Sequence, residues 1–208
     1  MRMDCGNTPV IETERLILRP VTKEDAADLK KWLGRDQVYP YWGRKASGGE
    51  KNPESLFMDS RSWVKRKPGK DLHWGVLLKS IGEVMGDVTV NDVQNGRMAS
   101  ISFPLNPDEW GKGYATEAVD AAVKYAFDQV KLQRLETTVD VRNRVGIRVL
   151  EKCGFLREDI VRQGKRMSAY CDHHIYGLLQ TDRGKKAKNC KFLIIFEKSS
   201  RQMENFML

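Results

Sequence analysis

Residues 106–118 read NPDEWGKGYATEA, and this stretch constrains the fold more than any other. Upstream, residues 98–105 (MASISFPL) are apolar enough for a buried strand. Downstream, apolar side chains recur at helical spacing over residues 115–130: Ala118, Ala121, Ala122, Tyr125, Ala126 and Val130. A strand therefore runs into a helix through Gly111 and Gly113. Lacking a Cβ, these positions can take positive φ and let a ligand approach the peptide closely, while the first N–H groups of the helix have no intrahelical partner. Such donors at the positive end of a helix dipole make an anion site that suits a pyrophosphate; a plain tight turn is the other reading of the same glycines. Two well-known phosphate loops do not fit. Gly111-Lys112-Gly113 lacks the earlier glycine and the following hydroxyl of a P-loop, and Thr116 stands where a dinucleotide fingerprint needs a third small residue.

The remaining elements can be placed around this junction. Residues 13–21 (TERLILRPV) alternate as a first strand, with Leu16 and Leu18 on one face. Thr22 and Asp25 resemble a capping box opening a helix to about Leu33, with Ala26, Leu29 and Leu33 inward. Residues 34–51 lack periodicity and read as a loop, and Asn52-Pro53 starts a second helix to about Lys67, with Leu56, Trp63 and Val64 on one face. From Leu72 the period is two, through residues 72–79, 82–93 and 97–105, with Asn95-Gly96 as a type I′ hairpin turn. Residues 134–141 form another strand. Residues 143–152 form a helix with Ile147 and Leu150 inward, stopped by Gly154. Residues 155–162 and 168–180 make a last hairpin across Gln163-Gly164-Lys165. This order predicts an α/β or α+β fold, a sheet with helices on both faces.

At 208 residues one domain with a full core is expected, and no stretch approaches the ~20 apolar residues of a membrane span. The first residues have no apolar signal segment, and the four cysteines (Cys5, Cys153, Cys171, Cys190) lack metal or disulfide spacing, so an intracellular protein, cytoplasmic or nuclear, is expected without a metal site. The net charge of +8 argues only weakly for nucleic acid. From Arg183 onward seven basic residues face two acidic ones, so +5 of the +8 belongs to the tail and +3 to residues 1–182. A basic tail without a basic face or aromatic platforms reads as a solvated terminus.

Three motifs in this order resemble the GNAT superfamily of acyl-CoA-dependent N-acyltransferases, particularly its RimJ/RimL-like branch. ERLILRP (residues 14–20) looks like that branch's opening. WGKGYATEA (residues 110–118) looks like its acyl-CoA loop, with Trp110, Gly113 and Ala115 at the first, fourth and sixth positions. NRVGIRVLEKCGF (residues 143–155) looks like the family's Asn-x-x-Ser-x-x-x-Leu-Glu-Lys-x-Gly-Phe. The resemblance spans about residues 11–182, the expected domain; residues 183–208 would be a basic extension. It implies a mixed, mostly antiparallel sheet with splayed central strands, and acetyl-CoA as cosubstrate. By resemblance, the amides of Gly111, Lys112, Gly113, Tyr114, Ala115 and Thr116 cradle the pyrophosphate beside Trp110, and the backbone of Phe103 and Leu105 pairs with pantetheine. The Phe103 N–H polarises the thioester carbonyl, and Asn143 lies near the thioester, caps the next helix, or does both.

The chain departs from the family where the chemistry is. Leu150 replaces the tyrosine acid of many members, Gly146 a serine, and residues 99–102 read Ala-Ser-Ile-Ser where the branch often has Ala-Glu-Ile-Gly. No general base is identified. Asp87 or Asp172 could stand in, although each reads more simply as an exposed strand or turn charge, and His73 as a satisfied histidine. The expected activity is acetyl transfer to a peptide or small-molecule amine by direct attack in a ternary complex; the alternative is an acyl-CoA-binding protein that lost the chemistry. Specificity would lie in the first two helices and their loop, including Tyr39, Tyr41 and Trp42.

Overall fold

A computed structural model of the chain describes residues 8–33, 35–38, 40–41, 71–95, 97–166 and 169–183. The strands are β1 (Ile11–Glu12), β2 (Leu16–Arg19), β3 (Leu72–Leu78), β4 (Val84–Gln94), β5 (Met98–Ser102), β6 (Arg134–Asp140), β7 (Leu156–Arg166) and β8 (Ala169–Leu179). The helices are α1 (Ala26–Leu33), α2 (Tyr114–Asp128) and α3 (Arg144–Lys152). The strands form one sheet ordered β1-β2-β3-β4-β5-β6-β8-β7. Every pairing is antiparallel except β5 with β6, which α2 connects as a crossover. The mixed, mostly antiparallel sheet with helices on both faces is the expected architecture.

Strand alternation gives the sheet two unlike faces. On one, Leu16, Leu18, Trp74, Val76, Val88, Val90, Ile101, Leu135 and Val139 pack with α2 and α3 through Ala118, Ala122, Phe127 and Leu150. On the other, α1 covers one end, where Leu29 and Trp32 pack against Leu77 and Val84. Beyond α1 that face turns polar, with His73, Asp87, Thr89 and Asp140 buried. Burying a large apolar side chain contributes ~1.5–3 kcal/mol, so the α2–α3 face carries most of the stabilisation.

Several local expectations hold for their stated reasons. Asp25 accepts the Thr22 N–H (2.7 Å) at the head of α1, and Arg19 reinforces it through two bonds of 2.8 and 2.7 Å. Asn95 takes φ of 50°, with the Arg97 N–H closing the turn onto the Gln94 carbonyl at 2.9 Å. Gly154 stops α3 at φ of 88°, while the Phe155 N–H reaches back to the Leu150 carbonyl (3.0 Å).

Other expectations need correction. The first strand is two, because the Thr13 hydroxyl turns the chain by accepting the Leu16 N–H (3.0 Å). The last hairpin does not turn at Gln163-Gly164-Lys165. There β7 bulges, with Gln163 at φ of 48° and its N–H held by the Asp172 carboxylate at 2.8 Å, and the strand continues to Arg166. Gly164 has another role: a Cβ there would collide with the His173 ring. Asp87 is buried, not exposed. The helix expected over residues 52–67, together with Tyr39 and Trp42, lies outside the described residues.

Candidate active site

β5 and β6 pair only at Met98–Arg134, Ala99–Leu135 and Ser100–Glu136. Beyond that point β6 continues to Asp140 along β8, while β5 and the segment after it stay with β4 through Thr89–Ser102 and a bridge of Gly86 with Leu105. The two parallel strands part at their carboxyl ends. In an antiparallel ladder alternate residues aim N–H and C=O at the neighbour or away from it. The Pro104 carbonyl accepts the Asp87 N–H (3.0 Å) and the Asn106 N–H donates to the Met85 carbonyl (2.7 Å), so Phe103 and Leu105 aim their backbone groups away from β4, toward the gap. Gly86 permits this approach, since a Cβ on it would lie 2.7 Å from the Pro104 carbonyl oxygen.

Because β5 and β6 run parallel, the helices following them both begin at the end of the sheet where the gap opens. The loop before α2 is pinned to the strand segment, with the Trp110 indole N–H donating to the Leu105 carbonyl at 2.9 Å. Gly111 and Gly113 adopt φ of 78° and 85°, and a Cβ on Gly111 would meet nothing within 4 Å. This loop is open to a ligand as well as bent. The Glu117 N–H is the first to bond back, to the Gly113 carbonyl at 3.1 Å, so helix geometry leaves the N–H groups of Tyr114, Ala115 and Thr116 without intrahelical partners. Asn143 caps α3, its Oδ1 accepting the Gly146 N–H at 2.9 Å. A Cβ on Gly146 would come within 2.7 Å of the Asn143 amide, which packs directly on this glycine.

An arginine from outside the loop sets its shape. The Arg15 guanidinium lies 4.5 Å from the Tyr114 ring centroid, donates to the Lys112 carbonyl (3.0 Å), and meets Glu117 through Nε at 2.7 Å. The Thr13 hydroxyl and Arg15 N–H also donate to Glu117, at 2.6 and 2.9 Å. Burial pushes the Glu117 carboxyl up, but these donors outweigh it and hold it below its ordinary value. ERLILRP is visible in the sequence, but its arginine's partner lies 102 residues away and follows no local rule.

On the polar face, His73 Nε2 lies 3.2 Å from Asp87 Oδ2, and Thr89 Oγ1 lies 2.5 Å from Ser102 Oγ. The period-two pattern puts these residues on strands; only the register brings them together. Asp172 is occupied by the β7 bulge. Leu150 is wholly buried, and the Cys153 thiol, pushed up to about 12 mainly by burial, is no nucleophile. Among the described residues no three His, Cys, Asp or Glu side chains gather as a metal site requires, and no helix is long and apolar enough to cross a membrane.

The family model of the acetyltransferase (GNAT) domain matches residues 15–156. An uncharacterized N-acetyltransferase of Bacillus subtilis, YoaA, is 30% identical over 156 residues, 74% of this chain and 87% of that one. Spermidine N(1)-acetyltransferase of Escherichia coli K12 is 25% identical over 139 residues, 66% of this chain and 71% of that one. Among solved structures, Mycobacterium smegmatis RimJ in complex with CoA-disulfide shares the fold at a TM-score of 0.73 and 24% identity, over 86% of this chain and 91% of that one.

Proposed function

This chain belongs to the GNAT acetyltransferase family, and on that premise we propose that it moves the acetyl group of acetyl-CoA to a primary amine by direct attack in a ternary complex. The acceptor is a protein or peptide N-terminus or a small amine. A relative named spermidine N(1)-acetyltransferase supports the small-amine side. The observation that carries the reading is the gap at the carboxyl ends of β5 and β6, faced by the backbone of Phe103 and Leu105 and headed by the open glycine loop of α2.

In this reading the amides of Gly111, Lys112, Gly113, Tyr114, Ala115 and Thr116 take the pyrophosphate, with Trp110 bracing the loop on Leu105. Pantetheine lies along Phe103 and Leu105 as an added strand. The Phe103 N–H donates to the thioester carbonyl as charge grows on its oxygen, a contact worth ~3–4 kcal/mol in acyl transfer. Asn143 faces the thioester from the head of α3. The catalytic unit is residues 11–182, and acetyl-CoA as cosubstrate places it inside the cell. Calorimetric titration with acetyl-CoA tests the reading: binding in the micromolar range is expected, and Gly113→Glu, which sets a negative side chain against the phosphates, abolishes it. No binding by the wild type at high micromolar concentration removes the proposal.

A second reading, coenzyme binding without transfer, is favoured by Ser100, Gly146 and Leu150 at the positions where family members carry acid or base. Thiol release across protein N-termini, polyamines and small amines separates the two: release with any of them ends the binding-only reading.

A further inference from the structure

An amine acceptor arrives as an ammonium and must lose a proton before its nitrogen can attack. Resting on the reading of this chain as an amine acetyltransferase, we propose that the buried His73–Asp87 pair is its general base, reached from the β5–β6 gap through the hydroxyls of Ser102 and Thr89.

Register places the row. His73 stands directly opposite Thr89, and Thr89 directly opposite Ser102, the last residue of β5 before Phe103. All three lie on the polar face, and two strand spacings separate His73 from Ser102 by roughly 10 Å. The Thr89 and Ser102 hydroxyls touch at 2.5 Å, and Thr89 is the cross-strand neighbour of His73, so hydroxyls are the groups that stand between the gap edge and the imidazole. His73 and Asp87 are 7% and 8% exposed, out of bulk water.

The other carboxylates on this face are already committed. Glu136 is bound by Arg134 at 3.3 Å, Asp140 by Arg142 at 2.6 Å, and Asp25, beyond Gly75, by Arg19. Asp71, just before β3 and two residues from His73, has a partner as well. Asp87 meets His73 instead of an arginine, and its Oδ1 is buried with no hydrogen-bond partner among the described residues. A buried carboxylate oxygen left unpaired is costly in a fold that needs it only for structure. Facing a carboxylate, Nε2 carries the hydrogen, which leaves Nδ1 as the acceptor. The carboxylate fixes that tautomer and stabilises the imidazolium once formed.

The protons balance along this row. The ammonium gives one proton to the Ser102 oxygen as Ser102 passes its own to Thr89, and Thr89 passes its own to His73 Nδ1. The neutral nitrogen then forms the C–N bond as the C–S bond breaks, and its surplus proton leaves with the sulfur as the thiol. His73 releases its proton to solvent after the products depart.

The test is the pH profile of kcat/KM for a primary amine, measured by thiol release, alongside acetyl-CoA affinity. His73→Gln keeps a donor toward Asp87 and removes the ring nitrogen that would take the proton. It should lower kcat/KM near neutral pH about 10²–10⁴-fold. Activity should return only as the amine itself deprotonates, and acetyl-CoA affinity should be unchanged. Thr89→Val, nearly isosteric, interrupts the row without touching the pair and should show the same loss to a smaller degree; it serves if His73→Gln fails to fold. If the wild type transfers while His73→Gln or, failing that, Thr89→Val keeps its rate and profile, the base assignment is wrong and acetyl transfer stands. If the wild type binds acetyl-CoA and acetylates no amine, both readings fall together.

Discussion

Glu117 is an acid placed where a helix dipole favours one, in the first turn of α2, and three donors from the turn between β1 and β2 converge on it. Its folded-state titration lies below the ordinary value of 4.5. A depressed carboxylate contributes stability that is fully present above its unfolded value and lost as pH falls through the folded one. Glu117→Gln is therefore expected to melt below the wild type at neutral pH, with the difference shrinking as pH is lowered below the ordinary value of 4.5. A difference in thermal midpoint constant from pH 7 to 3 would show that the charge is irrelevant and shape alone matters. The glycine loop and the Asn143 cap are legible in the sequence because turn and cap chemistry act within about four residues. Arg15 with Glu117, and His73 with Asp87, are not. Those pairs exist only after the chain has folded back 102 and 14 residues, and one sequence does not contain the register that joins them.

The segment after β5 is where an element's end becomes a site. Pro104 and Asn106 hold β4 while Phe103 and Leu105 face the gap, and the arrangement depends on Gly86 lying 2.7 Å, at its missing Cβ, from a backbone oxygen. Backbone cannot rotate out of the way. Gly86→Ala should displace residues 103–106, cost about 1–3 kcal/mol in denaturant unfolding, and weaken acetyl-CoA binding in titration; unchanged affinity would mean that these amides do not hold the coenzyme. α3 offers a matched pair. Asn143→Asp keeps a capping oxygen and Asn143→Ala removes it at ~0.5–2 kcal/mol. If Asn143 also faces the thioester, both variants lose kcat while only the alanine loses stability; if it is a cap alone, the aspartate is normal on both counts. Period and turn signals located these elements well. They missed the end of the last hairpin, because an αL residue and a glycine mark a bulge as readily as a turn, and only the Asp172–Gln163 bond separates the two.

For the whole molecule the order of the described strands follows from hairpins, a long connection through α1 between β2 and β3, and two helical crossovers, α2 from β5 to β6 and α3 from β6 to β7. β8 is flanked on both sides, by β6 and β7, so no edge of it awaits a partner. After it the chain makes a 3-10 turn, Gln180–Asp182, in which the Gln180 N–H bonds the Gln133 carbonyl (3.0 Å) and Asp182 accepts the Leu179 N–H (3.2 Å). The Arg183 guanidinium then reaches Asp128 at the end of α2 and lies 5.8 Å from the Phe127 ring centroid. Removing residues 184–208 is therefore expected to leave the thermal midpoint within a few degrees of the full chain and acetyl-CoA affinity unchanged, since the glycine loop and the gap draw on residues 85–143 with Thr13 and Arg15. The opposing consideration is FLIIF at residues 192–196, where each large side chain packed on the domain would bring ~1.5–3 kcal/mol. A shift of 1 kcal/mol moves the midpoint of a domain this size by about 2–4 °C, so two such side chains give a drop too large to miss. A truncated protein that melts ten or more degrees lower, or precipitates, would move the domain boundary past residue 196 and make the tail part of the fold.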